Sequence, residues 1–428
     1  MHDAVEDHDA GSTALWHGRL AALLAANKRY AKARRHYVAA LALLSPDSDQ
    51  ITSTARRRLV TSLRCGLARV LVRLDERSQA IDMYMQALSE DGRCVAALVD
   101  ISAQLLVDGQ LTSALEHCNR ALEIAPHTKE AHYNRNVILR RLGRQSEAID
   151  CYWDLLQAQT TIARPLSLGE HERVSSSEAL SPALGKQSAA EPLMVSVVCV
   201  KWGTKYGVDY VDKLYRGVMR HVDSSRVGVR FVCLTDDAAG IDASGDITCI
   251  RLEGNWRGWW NKAELFSPAV AATLERYCVY IDLDTVIVGD LTELFLALAY
   301  RLDVTRVFML RTDAMANEQR LGGYNSSIIA WQNESTNQSE QGGLSAVYEL
   351  LVEHFDTITS YIYKLDHWFE MMLPAITFVE DLAPGGIVEY QSLEAREMAL
   401  PPAARVVCFP LRPKPHEATA SWIPDHWR

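Results

Sequence analysis

The chain has 428 residues, of which 48% are hydrophobic and 23% charged, and it carries a formal net charge of -10 with a pI near 5.7. This composition is typical of a globular protein with two or three domains. The acidic balance argues against general nucleic-acid binding, which needs a basic surface. No apolar stretch approaches the roughly 20 residues of a membrane-spanning helix.

The N-terminus and the cysteines indicate a reducing compartment. Residues 1–13 are mostly acidic and polar, unlike a signal peptide, and we expect them to be disordered. The nine cysteines are scattered singly, without a Cys-x-x-Cys pair. An odd number without framework spacing does not suit a disulfide scaffold. We therefore expect a cytoplasmic protein.

The first third of the chain repeats a short pattern, an alanine followed four residues later by an aromatic residue or a cysteine. The last three of its anchoring alanines are spaced 34 residues apart. The four alanines are Ala33, Ala80, Ala114 and Ala148. A period of 34 is typical of tetratricopeptide (TPR) repeats, in which pairs of antiparallel helices stack on one another. Residues 14–157 resemble this family and predict an all-α solenoid.

A TPR solenoid has a concave surface that can hold a protein or glycan acceptor, or a second copy of the chain. The first gap between the alanines is 47 residues, which leaves two alternatives, a longer loop between repeats or an extended helix. A generic helical array would have the same architecture. The next segment, residues 158–193, is rich in serine and proline and lacks aromatic residues, which predicts a flexible linker.

From residue 194 the chain alternates between short apolar runs and polar loops. This alternation predicts a Rossmann-like α/β domain over residues 194–428, with a mostly parallel sheet. Polar loops follow apolar runs at residues 201–207, 235–237 and 282–285. Because the carboxyl ends of parallel strands meet along one edge of a sheet, we expect these loops to line one crevice.

Two carboxylates stand at the end of the apolar run Tyr277–Ile281. Side chains alternate faces along a strand, so Asp282 and Asp284 project to the same side. Two carboxylates at the end of a buried strand are costly unless a cation or a hydrogen-bond donor pairs with them. Mg²⁺ and Mn²⁺ prefer such oxygen ligands and often bridge to a diphosphate. The pair therefore predicts a metal and diphosphate site.

The acid pair belongs to a series of segments that follow one another from residue 202 to residue 416. They are Trp202–Gly207, Gly258–Lys262, Tyr280–Asp284, Gly323–Trp331, Asp366-His367 and Phe409–His416. This ordered series resembles nucleotide-sugar-dependent glycosyltransferases of the GT-A fold, in particular the family 8-like group related to glycogenin. The resemblance covers roughly residues 195–428 and implies a retaining glycosyltransferase.

The resemblance also implies how the donor is bound. Asp282 and Asp284 would hold Mn²⁺ or Mg²⁺ on the diphosphate of a sugar nucleotide, Asp282 thereby contacting the donor, and Lys414 would bind the same diphosphate. Lys262 would lie near the phosphates or the donor sugar. The base and ribose would contact the loop after the first strand and the aspartate after the second. The residues implied there are Trp202, Gly203, Thr204, Tyr206 and Asp236, with Trp202 or Tyr206 able to stack on the base.

The same resemblance implies the residues near the reacting sugar. Asn325 and Ser326 would touch the sugar and the backbone of the active site, and Asp366 would lie near the reacting carbon. His367 replaces a glutamine of the family pattern. The family's C-terminal metal-binding histidine and a nearby glycine are also replaced here. His416 is the candidate third metal ligand; the alternative is that only the diphosphate completes the coordination.

Together these features predict a metal-dependent glycosyltransferase that uses a nucleoside-diphosphate sugar, with UDP as the favoured nucleotide, and TPR repeats that recruit an acceptor. An alternative is a catalytically inactive glycosyltransferase-like scaffold that binds partners. A third candidate, a sugar-phosphate nucleotidyltransferase, would carry a glycine-rich signature with Arg and Lys after the first strand. The sequence Trp202-Gly203-Thr204 does not have that signature.

Overall fold

The computed structural model describes residues 3–44, 54–160, 164, 192–241, 245–254, 256–302, 307–312, 323–333, 344–373 and 376–428. The chain divides into two compact units, Met1–Cys151 and Tyr152–Arg428. Within the described ranges, no helix combines the length and apolar character that a bilayer crossing requires. Most of the predicted linker, residues 161–163 and 165–191, lies outside the described residues, so the predicted domain limits stay a prediction.

The N-terminal third is helical throughout its described residues. Its helices are α1 (Asp3–Ala26), α2 (Tyr30–Ala42), α3 (Thr54–Arg73), α4 (Arg77–Glu90), α5 (Val95–Val107), α6 (Leu111–Ile124), α7 (Lys129–Arg141) and α8 (Gln145–Gln159). Consecutive helices pack in pairs, α1 with α2, α3 with α4 and α5 with α6. In the fourth pair, Nδ2 of Asn136 in α7 donates to the carbonyl oxygen of Ala148 in α8, at 2.8 Å.

The repeated alanines explain why these pairs stack closely. Each lies in the second helix of its pair and is completely buried: Ala33 in α2, Ala80 in α4, Ala114 in α6 and Ala148 in α8. The residues four positions later are also buried, and they are Tyr37, Tyr84, Cys118 and Tyr152. A methyl side chain lets neighbouring helix backbones approach, and the larger residue one turn later fills the groove. The predicted TPR-like repeats are therefore confirmed.

A close contact between α2 and α3 depends on a glycine. Gly66 lies in the interior of α3, and a Cβ atom built at this position would lie 2.5 Å from the ring of Tyr37. Real Cβ atoms do not approach an aromatic ring so closely. The ring of Tyr37 therefore occupies the space that any other residue at position 66 would need.

One prediction for this region is wrong, and one of the two alternatives for the long first gap is decided. Helix α1 begins at Asp3, so residues 3–13 are helical and not disordered as predicted. Once a packed helix has formed at residues 14–26, extending it toward the N-terminus requires no new nucleation. In the long first gap, α3 has 20 residues where α5 has 13, so an extended helix is present. Residues 45–53 of this gap lie outside the described residues.

The C-terminal unit alternates strands and helices. The strands are β1 (Leu193–Lys201), β2 (Val227–Thr235), β3 (Ile247–Arg251), β4 (Tyr277–Ile281), β5 (Thr285–Ile287), β6 (Val307–Arg311), β7 (Tyr324–Gln332), β8 (Thr377–Phe378), β9 (Ile387–Glu389) and β10 (Val406–Cys408). The helices are α9 (Val208–Arg220), α10 (Pro268–Ala271), α11 (Thr292–Leu302), α12 (Ser345–Tyr361), α13 (Leu365–Met372), α14 (Val379–Leu382) and α15 (Ile423–His426). Gly258–Phe266 and Tyr390–Arg396 are 3₁₀ segments.

The larger sheet is mixed and has the strand order β3-β2-β1-β4-β7-β6-β8. Strands β1 to β4 are parallel, and β7 runs antiparallel to both β4 and β6. Strand β1 is buried from Val195 onward, as expected for a central parallel strand with both faces covered. A smaller sheet has the order β5-β10-β9. The predicted α/β fold class is thus confirmed.

Helix α9 packs its apolar face against the larger sheet. Its residues Val211, Leu214 and Val218 recur at helical spacing and are almost completely buried in the core of the C-terminal unit. This core lies between α9, α11 and the larger sheet, and its strand residues include Val197, Phe231 and Val279. The sheet is therefore held rigidly, and the loops at its carboxyl edge are positioned by it.

Candidate functional site

The loops predicted to form a crevice meet at the carboxyl edge of the parallel strands. Strand β1 is flanked by β2 on one side and β4 on the other, so the chain reverses its direction of winding between β1 and β4. Ligands of open α/β sheets bind at such a switch point. The loop after β1 and the loop after β2 are in contact, because the backbone N–H of Gly203 donates to Oδ2 of Asp236 at 2.8 Å.

The two carboxylates after β4 are each paired with a lysine. Nζ of Lys262 lies 2.7 Å from Oδ1 of Asp282, and Nζ of Lys414 lies 2.7 Å from Oδ2 of Asp284. The four side chains are 13–20% exposed, so both pairs are partly shielded from water. Shielding strengthens each ion pair relative to one on the surface.

Each carboxylate also accepts a hydrogen bond from a tyrosine. The hydroxyl of Tyr280 donates to Oδ1 of Asp282, and the hydroxyl of Tyr206 donates to Oδ2 of Asp284 at 2.7 Å. Burial, and next the adjacent carboxylate, raise the pKa of both tyrosines well above 10. Both hydroxyls therefore keep their protons and remain donors at neutral pH.

A bulge in β7 lies at Ser326, which contacts Lys262. The pairing of β7 with β6 shifts register between Met309 and Leu310, and β-bulges often redirect side chains at functional sites. Nζ of Lys262 donates to the backbone oxygen of Ser326 at 3.2 Å and to its Oγ at 3.3 Å. The backbone N–H of Ser326 donates to Oδ1 of Asp366, at 3.2 Å. Asp366 is thereby connected to the lysine and the acid pair.

Asn325, which the resemblance places near the sugar and the active-site backbone, contacts the backbone of β7. Its side chain is buried, and its Oδ1 accepts a hydrogen bond from the backbone N–H of Ser327 at 2.9 Å. This contact holds the irregular backbone of β7. The amide thus shapes the bulge beside Ser326.

The segment after β10 delivers Lys414 to the acid pair. Cys408 in β10 is opposite Thr285 in β5, which follows the acid pair directly. Nζ of Lys414 also donates to the backbone oxygens of Phe409 and Pro410. The carboxylate of Glu417 accepts the backbone N–H of Lys414 at 2.9 Å. These contacts fix the ammonium group beside Asp284.

The structure does not bring the three predicted metal ligands together. Nδ1 of His416 is hydrogen-bonded to the hydroxyl of Tyr210, and the His416 side chain is 53% exposed. Across the described ranges, no group of three His, Cys, Asp or Glu side chains is placed to hold a metal ion. The contacts at the acid pair use Oδ1 of Asp282 and Oδ2 of Asp284, and among the described residues no donor binds the second oxygen of either carboxylate. This donor set fits a hard cation that takes its other ligands from a diphosphate.

The residues predicted to contact the base lie in the turn after β1. Thr204 is exposed and Trp202 is half-buried, near Gly258 at the start of the 3₁₀ segment. The ring of Tyr206 packs against Tyr210 with the ring centroids 4.7 Å apart, while its hydroxyl points to Asp284. Stacking of Tyr206 on a base would require this ring to move, so Trp202 is the better candidate for stacking.

Sequence reasoning missed Tyr280 and Tyr210. Tyr280 precedes Asp282 by two positions and therefore lies on the same face of the strand, a signal that the alternation of side chains already contained. Tyr210 lies in α9 beside both Tyr206 and His416. No local pattern in the sequence marks it as part of the site.

The chain is similar to known proteins over parts of its length. No protein-family model matches the chain. The chain is 40% identical over 45 residues to an uncharacterized protein, MJ0572, of Methanocaldococcus jannaschii, a match that covers 10% of this chain and 52% of that protein. The chain thus spans about half the length of the curated relative it matches.

Similar solved structures include TPR proteins. YrrB, a TPR protein with an unusual peptide-binding site, is 22% identical with a TM-score of 0.28, over 36% of this chain and 71% of that chain. The first TPR of Spaghetti (RPAP3), bound to an HSP90 peptide, is 19% identical with a TM-score of 0.27, over 31% and 95%. The C-terminal TPR-containing domain of an FK506-binding protein of Plasmodium falciparum is 16% identical with a TM-score of 0.30, over 33% and 95%.

These TM-scores are below 0.5, so the assignment of the N-terminal unit comes from its own helix pairs and buried alanines. The α/β unit has a mixed sheet and a polar site at its switch point. The protein therefore combines N-terminal TPR-like repeats with a C-terminal α/β domain.

Proposed function

We propose that the C-terminal domain is a metal-dependent glycosyltransferase that takes a nucleoside-diphosphate sugar, with UDP as the nucleotide. The observation that carries this proposal is the convergence of two carboxylates and two lysines at the switch point of the sheet. A diphosphate has several negative charges and needs cationic partners in a partly shielded site. Lys262 and Lys414 supply two such partners within one site.

Each group has a role in this proposal. Asp282 and Asp284 would hold Mn²⁺ or Mg²⁺, which offsets the charge on the departing nucleoside diphosphate. Lys262 and Lys414 would bind phosphate oxygens, and Tyr206 and Tyr280 would orient the carboxylates. The loop of Gly203 and the carboxylate of Asp236 would bind the ribose.

Asp366 is the candidate catalytic residue on the sugar side. It lies in the first turn of α13, and its carboxylate accepts a hydrogen bond from the bulge of β7. A carboxylate at this place would stabilise the positive charge that develops on the sugar ring during transfer. The resemblance favours retention of configuration at the sugar.

The TPR-like repeats would recruit the acceptor. Such arrays present a concave surface to extended partners. We propose a polypeptide or a protein-linked glycan as the acceptor, in the cytoplasm.

The test is hydrolysis of a panel of sugar nucleotides in the presence of Mn²⁺. We expect slow release of nucleoside diphosphate from one donor by the wild type and none by Asp284→Asn. Asp108→Asn, at an exposed helix end in the N-terminal unit, serves as the matched control and keeps the activity. Absence of release from every donor would contradict the proposal.

A second candidate is a scaffold that binds a nucleotide sugar without turnover. The position of His416 favours it, because this side chain is bonded to Tyr210 and does not join the two aspartates. A thermal shift on addition of donor and Mn²⁺, without release of nucleoside diphosphate, would support the scaffold. Release of pyrophosphate from a nucleoside triphosphate would instead indicate a nucleotidyltransferase.

A further inference from the structure

We infer that Lys262 and Lys414 are internal counter-ions that compete with a divalent cation for Asp282 and Asp284. The site would therefore take the cation together with a diphosphate and bind the free cation poorly. This inference rests on the proposed function and specifies its true ligand, a cation–diphosphate complex. It assigns each lysine two partners, an aspartate before binding and a phosphate after it.

The contacts at the two aspartates are symmetrical. Each aspartate is bound by one lysine at 2.7 Å and by one tyrosine hydroxyl, and both donors use the same carboxylate oxygen. The second oxygen of each carboxylate is the one left for a cation. A cation bound to either of these oxygens would lie close to the ammonium group that is paired with the same carboxylate.

The charges of these four side chains balance. Two carboxylates and two ammonium groups cancel one another, in a place where the side chains are at most 20% exposed. A divalent cation added alone would leave two uncompensated positive charges in a poorly hydrated site, which is unfavourable. A diphosphate that enters with the cation cancels them and gives the ammonium groups new acceptors.

Uncharged oxygen atoms anchor both lysines. Nζ of Lys262 also contacts the backbone oxygen and Oγ of Ser326, and Nζ of Lys414 also contacts the backbone oxygens of Phe409 and Pro410. Neutral oxygens thus hold both ammonium groups near the acid pair. The lysines therefore remain close enough to bind phosphate when the aspartates bind a cation.

Binding of the two ligands is then reciprocally coupled. UDP must raise the affinity for Mn²⁺ by the same factor by which Mn²⁺ raises the affinity for UDP. The coupling depends on the lysine charge. Removal of this charge should tighten the binding of free Mn²⁺ and weaken the coupling between Mn²⁺ and UDP. A purely structural role for the lysines would not produce these opposite effects.

The experiment is a titration with Mn²⁺ alone and with Mn²⁺ plus UDP, followed through the electron paramagnetic resonance signal of the unbound ion. In the wild type, UDP should tighten Mn²⁺ binding by about tenfold or more, the effect of one favourable charge contact. Lys414→Met should bind Mn²⁺ alone about tenfold more tightly than the wild type and show a smaller effect of UDP.

Three further variants make the test decisive. Lys414→Arg keeps the charge and should bind Mn²⁺ alone as weakly as the wild type, and Lys262→Met should repeat the effect of Lys414→Met if the latter does not fold. Lys32→Met is the matched control, because Lys32 is exposed on α2 in the N-terminal unit, and it should behave as the wild type. Circular dichroism checks the folding of each variant.

The outcomes separate this inference from the proposed function. Independent binding of Mn²⁺ and UDP to the wild type, or unchanged Mn²⁺ affinity in both folded lysine-to-methionine variants, would overturn the inference even if sugar nucleotides are hydrolysed. Tighter Mn²⁺ binding by these variants without any binding of UDP would support competition by the lysines and reject the nucleotide as ligand, and with it the proposed function.

Discussion

The ammonium group of Lys414 lies 2.7 Å from the carboxylate of Asp284, although 130 positions separate the two residues in the sequence. The antiparallel pairing of β10 with β5 creates this proximity, because it places the end of β10 beside the residue that follows Asp284. The site is therefore completed by the last part of the chain. Its charge balance depends on a long-range contact.

The ion pair between Lys262 and Asp282 should contribute to stability. Lys262→Met would leave the Asp282 carboxylate with Tyr280 as its remaining donor in a partly buried place. We expect a loss of about 1–3 kcal/mol in the free energy of unfolding, less than for a fully buried pair. Urea denaturation measures it. Arg77→Met, which removes the exposed ion pair with Asp75, should cost less than about 1 kcal/mol. Equal losses in both variants would contradict the prediction.

Replacement of Asp366 should affect turnover more than donor binding. Asp366 is bonded to the bulge of β7 and lies on the sugar side of the proposed site. We expect Asp366→Asn to lower kcat for donor hydrolysis by about 100-fold or more, with little change in KM, because the charge acts mainly in the transition state. Steady-state kinetics with the donor found in the panel provides the measurement. An increase in KM alone would assign Asp366 to donor binding instead.

The protein should lose stability at alkaline pH. Burial, followed by nearby carboxylates, raises the pKa of Tyr210 to about 12, and the pKa values of Tyr206 and Tyr280 are raised as well. Above pH 10 these tyrosines ionise in the unfolded chain while the folded protein keeps their protons. The stability that is fully present below pH 10 is therefore lost as the pH rises toward 12 and beyond.

Thermal melting between pH 8 and pH 12 tests whether stability falls as the pH rises, with the absorbance of tyrosinate as a second readout. Tyr206→Phe should show a shallower fall in Tm above pH 10 than the wild type, because one of the shifted groups is missing. Tyr300→Phe changes a tyrosine that is 75% exposed and should leave the profile unchanged. An identical profile for all three proteins would contradict the assignment.

The contact of Tyr37 with Gly66 predicts an unusual response to alanine. In a helix interior, Gly→Ala normally stabilises by about 1 kcal/mol. Here the added methyl group would meet the tyrosine ring at 2.5 Å, so we expect Gly66→Ala to destabilise by about 1–3 kcal/mol. In the Tyr37→Ala background, the same change should become neutral or stabilising. A double-mutant cycle measured by urea denaturation gives the coupling, and additive effects would contradict the prediction.

The sequence allowed the repeats and the acid pair to be predicted for local reasons. A buried alanine recurs because helices must approach closely at that point, and Asp282 and Asp284 stand out because charged residues follow a buried strand. Asn325 could not be assigned in this way, since its bond to Ser327 depends on a bulge that only the strand pairing defines. The contact of His416 with Tyr210 is equally non-local.

Helix formation at residues 3–13 was also outside the reach of local reasoning. The segment reads as polar and acidic, and its helical state depends on the packed helix that follows it. The partners of the acid pair form a similar case. Lys262 and Lys414 could be predicted as phosphate ligands through the resemblance, whereas their ion pairs with the aspartates required the three-dimensional arrangement.

The close approach of Tyr37 to Gly66 has a consequence for the evolution of this chain. A larger residue at position 66 needs the space that the ring at position 37 now fills, so a change at position 66 favours a smaller residue at position 37. Related chains that keep the first two helix pairs should therefore show correlated substitutions at these positions. Such covariation would identify true relatives of this protein even where the rest of the repeat has diverged.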